Sequence, residues 1–390
     1  MDDTISLDEQ ASWLLSELPK ASDVRARLLC ELEILRKLTD ENHGLTAKEI
    51  AEILSYRSED GKKPSEPTIL DDLHALENCP VGALSASNPG IGKNDGFKNS
   101  SSFLTPAQVR LLMNMAGASR FIGRNDSREL ISGLNDMLSY YEEDDIYDQV
   151  HVDRRVPQQS LDVFGACDVI AHAIKTGRKI EFEYINRDFK GQEHSVLPHV
   201  KTFVETPINL VYSFGHYYVE TWYDGHSRPL VRRLDRIRNP KVSAEKAAEN
   251  EQIEECRATI DERLPQSFDM FPGKPAELFL KVNKVRINEM YNRFGSDCVF
   301  ENCTKSHETG EVEEGYLRVT VQLSPTFYRW LFGFGDMVKI VKPYSSLWAV
   351  AGSWANLPTA NRPFEDLVSD YETAVEGYKR QLAKIIAAYE

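Results

Sequence analysis

The chain has 390 residues, too many for one ordinary core, and its 41% hydrophobic and 10% aromatic content is that of a folded protein with several domains. With 61 Asp and Glu against 46 Lys and Arg the net charge is −15, which excludes nonspecific nucleic-acid binding by the whole surface, so any such contact has to be local. No apolar run approaches the roughly 20 residues of a membrane helix. The first residues carry acids where a secretory signal carries Lys or Arg, and six cysteines (Cys30, Cys79, Cys167, Cys256, Cys298, Cys303) are scattered without zinc-ligand spacing. A cytoplasmic protein with free thiols, no membrane contact, no metal and no cofactor is expected.

In chain order, SDVRARLLCELEILRKL repeats Val24, Leu28, Leu29, Leu32, Leu35 and Leu38 at helical spacing and predicts an amphipathic helix. NHGLTAKEIAEIL predicts a turn at Gly44 and a second helix carrying Ile50, Ile53 and Leu54, opened by a Thr46/Glu49 capping box. After the polar loop YRSEDGKKPS, Ser65 can cap a third helix whose inner face is Ile69, Leu73 and Leu76, and the three helices suggest a helix-turn-helix. NPGIGKNDGFKNSSS reads as a hairpin or loop. From Phe103 to Tyr141, two helices separated near Gly123, with Thr105 and Asp126 as caps, predict a helical connector.

The helix SLDVFGACDVIAHAIKTG ends at Gly177, where the pattern switches to period two and Ile180, Phe182 and Tyr184 share one strand face. Strands continue through SVLPHVKTFV, INLVYSFGHYYVETWY and PLVRRLDRIRNPKV, with turns at Gly191, Gly215 and Gly225, and predict a compact antiparallel unit. An acidic helical stretch, AEKAAENEQIEECRATIDERL, leads to AELFLKVNKV, INEMYNRFG, YLRVTVQLS, PTFYRWLFGFG and MVKIVKP, read as β-α-β-α-β. The final helix places Phe364, Val368, Tyr371, Val375, Tyr378, Leu382, Ile385 and Tyr389 at alternating steps of four and three, the spacing of a packing seam.

The segments IEFEY, VLPH, HYYVETWY and VRRLDRI, in that order, resemble the bacterial WYL-domain transcriptional regulators. His216-Tyr217-Tyr218-Val219 stands at the motif that names the domain, with Tyr-Tyr-Val for Trp-Tyr-Leu, and Arg233-Leu234-Asp235-Arg236-Ile237 matches its closing signature. FLTPAQVRLLMNMAGASRFI is similar to the family's helical connector, and FYRWLFGFGDMVKIVKP to the end of its C-terminal extension, called WCX. The resemblance implies a multidomain α+β chain. Its parts would be a winged helix-turn-helix DNA-binding domain (1–104), a helical connector (105–158), a small antiparallel Sm/SH3-like WYL ligand-sensing domain (159–244), a linker (245–274), a βαβαβ-type WCX-like domain (275–350) and a helical tail (351–390).

Four arginines, Arg232, Arg233, Arg236 and Arg238, fall within seven residues of this acidic chain. A guanidinium stays charged and offers paired donors that fit phosphate, while Tyr and His supply stacking faces and hydrogen bonds. The resemblance therefore implies a pocket of Tyr184, His199, His216, Tyr218, Arg233 and Arg236 for a nucleotide or single-stranded nucleic-acid effector. On an unbroken strand Arg233 and Arg236 would face opposite sides, so a bulge or a strand end has to intervene. Contact with a double-stranded DNA operator would fall to Lys62, Lys63, Ser65, Thr68 and His74, with Lys93 and Lys98 on a wing. The first 104 residues hold 11 Lys and Arg against 19 Asp and Glu, an unfavourable field for DNA. The alternative is a ligand-gated protein-interaction module that no longer binds DNA. The terminal helix is expected either to build a homodimer or to lie along the C-terminal extension. With no Gly-rich phosphate loop, His-Glu-x-x-His or Gly-x-Ser-x-Gly, no enzyme is expected.

Overall fold

A computed structural model describes residues 24–56, 62–78, 86–87, 96–99, 104–119, 121–147, 162–197, 199, 201–296, 298–305, 312–343 and 362–389. The chain divides into two compact units, Met1–Asp162 and Val163–Glu390. Both mix helix and strand. Among the described residues, no helix is long and apolar enough to cross a membrane. The described cysteines, Cys30, Cys167, Cys256, Cys298 and Cys303, are free thiols.

In the first unit, α1 (Val24–Leu38), α2 (Ala47–Ser55) and α3 (Glu66–Asn78) enclose a core that includes Ile34, Leu35, Leu38, Ile50, Ile53, Leu54, Ile69 and Leu73. The capping box forms at α2: the Glu49 amide donates to Thr46 Oγ1 at 3.3 Å and the Thr46 amide to Glu49 Oε2 at 2.7 Å. At α3 the Thr68 amide donates to Ser65 Oγ at 3.4 Å. The antiparallel pair β1 (Ala86–Ser87) and β2 (Lys98–Asn99) follows, joined to the helices by a Leu45–Phe97 bridge. Gly96 permits that approach, because its φ is +67° and a Cβ there would lie 2.6 Å from the Leu45 backbone.

Between α1 and α3, Arg27 Nε donates to Asp72 at 2.7 Å, and Glu31, fully buried, lies 3.5 Å from the same guanidinium. Burial, reinforced by the Asp72 charge, pushes the Glu31 carboxyl up to about 8, so it holds its proton at neutral pH. The connector consists of α4 (Pro106–Ala118), α5 (Arg124–Asn135) and a further helix, α6 (Tyr140–Tyr147). Thr105 caps α4 with Gln108 completing the box, as expected. Asp126 does not cap α5: Gly123 holds that position, and Asp126 lies inside the first turn, where its charge suits the positive end of the helix dipole.

The second unit opens with α7 (Val163–Thr176), stopped by Gly177 at φ +61°. An antiparallel sheet follows, formed by β3 (Arg178–Arg187), β4 (Glu193–Ser195), β5 (Phe203–Ser213), β6 (His216–Trp222), β7 (Leu230–Arg233) and β8 (Ile237–Lys246). The strands pair in the order β4-β3-β5-β6-β7, and β8 returns to pair with β3, which curls the sheet around Ile170, Ile180, Phe182, Phe203, Val219, Leu234 and Ile237. Helices α8 (Glu251–Ala258) and α9 (Ile260–Gln266) lead to the last sheet. Arg263 of α9 clamps them to β6, donating to Glu220 at 3.0 and 3.1 Å.

The C-terminal sheet contains β9 (Lys274–Asn283), β10 (Phe300–Lys305), β11 (Val312–Leu323) and β12 (Val338–Val341), with α10 (Ile287–Phe294) and α11 (Pro325–Phe332) in the connections. The order is β10-β11-β9-β12, all antiparallel. The β-α-β-α-β expectation therefore lacked one strand. FENCTK has too few apolar residues to show a buried face, and it holds an edge position by pairing with β11 alone.

The terminal helix α12 (Phe364–Ala387) packs on this sheet of its own chain. Its buried residues are Leu367, Asp370 and Ala374, so the inward face is turned from the expected seam. Asp370 fixes that rotation, accepting the Glu277 amide at 2.9 Å and the Arg362 guanidinium at 2.8 Å. Of the expected seam, Val368, Tyr371, Val375 and Tyr378 are half-buried, while Phe364, Leu382, Ile385 and Tyr389 are exposed.

Candidate functional site

In the second unit β6 and β7 pair with Tyr218 opposite Arg233, which puts these side chains side by side on one face. β7 ends at Arg233, and a single 3-10 turn, Leu234–Arg236, intervenes before β8. Leu234 is buried and anchors this turn. Arg236 thereby comes to the same side as Arg233, and both line one cavity of about 440 Å³. Tyr184, His216 and Tyr218 line it as well. The lining also includes residues that no sequence motif marks: Phe214 from the β5–β6 turn, Asp269 to Pro272 from the segment before β9, and Arg329 from α11.

The arginines divide by partner. Arg232 is structural: it donates to the buried Glu205 at 2.5 and 3.2 Å, with the Thr221 hydroxyl on the same carboxylate at 2.5 Å, and it lies over the Tyr184 ring at 4.9 Å. Arg238 donates to Glu193 at 3.1 and 2.5 Å and to two main-chain carbonyls. Arg233 is held in place, its amide donating to Tyr184 Oη at 3.1 Å and its guanidinium to Asp235 at 3.0 and 2.7 Å, with His216 Nδ1 at 3.2 Å. Burial is the largest influence and opposes the Arg233 charge, but the bond to Asp235, the Asp235 charge and the Tyr218 and Tyr184 phenols together hold its pKa above the ordinary arginine value. Arg236 is exposed and, among the described residues, has no hydrogen-bond or ion-pair partner. Its donors are available to a ligand.

Burial also pushes the Tyr218 phenol up, so it stays protonated and can donate. Three cavity residues sit in the left-handed region, Phe214 (φ +49°), Asp269 (+53°) and Met270 (+57°). Bulky side chains rarely adopt this conformation, and strain of this kind concentrates at ligand clamps. Asp269 Oδ2 accepts from Arg329 at 2.5 Å, so Arg329 is tethered but still 72% exposed. The sum is an aromatic-walled cavity with three guanidinium groups and one imidazole against a single lining carboxylate. That chemistry suits a planar, anionic ligand.

His199 does not join the cavity. β4 ends at Ser195, the chain leaves the sheet before Phe203, and His199 is exposed in the intervening turn.

In the first unit, Lys62 and Lys63 are exposed just before α3, with Lys63 3.5 Å from Glu52. The Ser65 and Thr68 hydroxyls bond each other at 2.6 Å at the start of α3. His74 is exposed on the same helix, 3.2 Å from Glu77. Lys98 on β2 donates to the Glu41 carbonyl at 2.8 Å, and Lys93 lies outside the described residues. Asp72, which would repel phosphate, is neutralised by Arg27. Asp71 and Glu66 remain exposed.

A comparison with protein-family models matches the WYL domain to residues 165–242. Residues 165–242 are a WYL domain. That span runs from α7 into β8, contains all four clustered arginines and supplies Tyr184, Phe214, His216, Tyr218, Val231, Arg233 and Arg236 to the cavity, while Asp269 to Pro272 and Arg329 come from outside the WYL domain. Among curated proteins none matches the chain. Among solved structures the chain is similar to the proteasome accessory factor B/C (PafBC) of Arthrobacter aurescens, at 16% sequence identity and a TM-score of 0.24. The match covers 81% of this chain and 44% of that one, so this chain corresponds to under half the length of that protein.

Proposed function

We propose that the chain is a cytoplasmic transcriptional regulator whose WYL domain binds a nucleotide or single-stranded nucleic-acid effector. The observation that carries this reading is Arg236, an exposed guanidinium without a partner among the described residues, in a cavity that also holds Arg233, His216, Tyr184 and Tyr218. A cation left unpaired in a chain of net charge −15 is suited to an anion from outside. The three helices and the short strand pair of the first unit support a winged helix-turn-helix. Its α3 would enter the major groove, with Thr68 and His74 reading bases and Lys62 and Lys63 on phosphate. Two-fold operators call for a homodimer, and the exposed apolar end of α12 (Leu382, Ile385, Ile386 and Tyr389) suits the contact between copies. In this reading the last sheet and α12 act as the WCX-like part, and the chain binds without catalysing a reaction.

A second reading is supported by the exposed acids Glu66 and Asp71 on α3: the first unit docks a protein and the effector gates that docking. An electrophoretic shift on DNA from upstream of its own gene, run over a salt series with and without short single strands, separates the two. The regulator reading expects a salt-dependent shift that the effector changes in the parent and leaves unchanged in Arg236→Ala. Absence of any shift, with effector binding intact, favours the docking reading.

A further inference from the structure

Phe214 stands at the tip of the β5–β6 hairpin with φ +49°, 52% exposed, on the lining of the first cavity. A bulky residue keeps such a conformation only where its surroundings over-determine it. A second cavity, of about 560 Å³, adjoins the first, and Phe214 lines both. In the second, Arg293 of α10 lies 5.2 Å from the Phe214 ring centroid and 3.9 Å from that of Phe268, a cation over two aromatic faces. Among the described residues Phe214 makes no other ring or cation contact. Phe268 is buried and is fixed in turn by Phe327 at 5.3 Å and Trp330 at 5.1 Å. An Arg293 nitrogen also donates to the Ser267 carbonyl at 2.6 Å. Burial lowers the Arg293 pKa to about 10 against the Asp269 charge, so the side chain is still a cation at neutral pH. The carboxylates that line the same cavity are engaged elsewhere, Asp269 accepting from Arg329 at 2.5 Å and Glu289 from Arg286 at 2.8 Å. Arg293 is therefore tied to the core of the C-terminal sheet through Phe268 and reaches the Phe214 ring from there, yet it does not itself line the first cavity.

We infer that Arg293 is a positioning residue: it presents the Phe214 ring to the first cavity as the face on which a base stacks, and so sets how far the site prefers a nucleotide to a bare sugar phosphate. The inference rests on the reading of the first cavity as a nucleotide site and divides the recognition within it. Arg233 and Arg236 offer donors to phosphate, which any sugar phosphate supplies. Only a ligand with a base gains from an aromatic face, and the gain is full only where the ring is already in place, since ordering it on binding costs affinity. Phe214 leads through Gly215 to His216, whose Nδ1 lies 3.2 Å from the Arg233 guanidinium, so one short hairpin carries both the ring and an imidazole beside the phosphate donors. The hold on that hairpin comes from α10, outside the WYL domain.

The test is calorimetric titration of thymidine 5′-monophosphate and of 2-deoxyribose 5-phosphate into the parent, Arg293→Gln, Phe214→Leu, the double variant and Arg236→Ala. Phe214 is on an exposed turn, so Phe214→Leu carries the test should Arg293→Gln fail to fold. The parent should prefer the nucleotide by about tenfold, the worth of one stacked base. That preference should fall by at least about threefold in Arg293→Gln and vanish in Phe214→Leu, and the double variant should be no worse than Phe214→Leu alone. Affinity for 2-deoxyribose 5-phosphate should be the same in the parent and these three variants, and fall by about tenfold in Arg236→Ala. A preference that survives in Arg293→Gln or in Phe214→Leu overturns the inference, as do losses that add in the double variant. An equal loss for both ligands in Arg293→Gln also overturns it, because a merely structural role would not discriminate between them. Equal binding of the two ligands by the parent, lost in Arg236→Ala, overturns it and leaves the anion site intact. No binding of either ligand by the parent overturns the nucleotide reading of the cavity and the inference with it.

Discussion

Arg232 and Arg236 are the same residue type four positions apart, and their surroundings give them opposite work. Arg232 completes a carboxylate, Glu205, that has no exposed surface, whereas Arg236 completes nothing among the described residues. Removing one member of a buried ion pair strands the other, so Arg232→Ala should destabilise the WYL domain by about 3 kcal/mol in urea melts. Arg236→Ala should leave stability within about 0.5 kcal/mol. Glu31 gives a pH signature in the first unit. Its folded-state pKa of about 8 stands above the ordinary 4.5, so between these values the unfolded chain has released a proton that the folded chain still holds. Stability is therefore full below about 4.5, declines by up to about 1.4 kcal/mol per pH unit as pH rises towards 8, and declines no further above it. Thermal melts between pH 5 and 8 should show this slope, and Glu31→Gln should flatten it; an unchanged slope would mean that Glu31 is ionised in the fold. The arginine cluster was legible in the sequence because a local run of cations in an acidic chain is itself a signal. Phe214, Asp269 and Arg329 were not, since no spacing links residues that only tertiary packing brings to one wall.

The β5–β6 hairpin places Phe214 and Gly215, both with positive φ, at its two central positions, a geometry that favours Asn-Gly. A phenylalanine there costs about 1–2 kcal/mol. Phe214→Asn should raise the melting midpoint by the equivalent of about 1 kcal/mol and weaken ligand binding, because the ring walls both cavities. A variant that is stabilised with unchanged affinity would remove the ring from the site. At α12 the inward face is set by Asp370 and by Gly377, where a Cβ would overlap the Tyr328 hydroxyl. Gly377→Ala should push the helix off the sheet and cost about 1–3 kcal/mol in denaturant melts, the range for overpacking. Element boundaries were legible wherever a cap or a glycine marked them, as at Thr46, Thr105 and Gly177. The rotation of α12 was not, because a heptad reading counts apolar residues, and one of the residues that faces inward here is an aspartate bonded to the main chain of β9. β10 escaped for a related reason: an edge strand held by main-chain pairing needs little apolar pattern.

At the scale of the whole molecule, a net charge of −15 disfavours polyanions over most of the surface, and the proposed effector site is where Arg233, Arg236 and Arg329 offset that charge locally. The proposed dimer belongs to this scale. Leu382→Glu with Ile386→Glu, at the exposed end of α12, should yield a monomer by light scattering that keeps effector affinity, whereas an unchanged dimer would place the contact elsewhere. The proposed function depends on the cavity taking an anionic nucleic-acid ligand through Arg236. The most direct measurement is calorimetric titration of a four-unit oligothymidylate into the parent and into Arg236→Ala at low and at moderate salt. Binding by the parent should weaken as salt rises, and the variant should lose about tenfold or more in affinity. Equal affinity in the two proteins, or no heat from the parent with this strand or with mononucleotides, would contradict it.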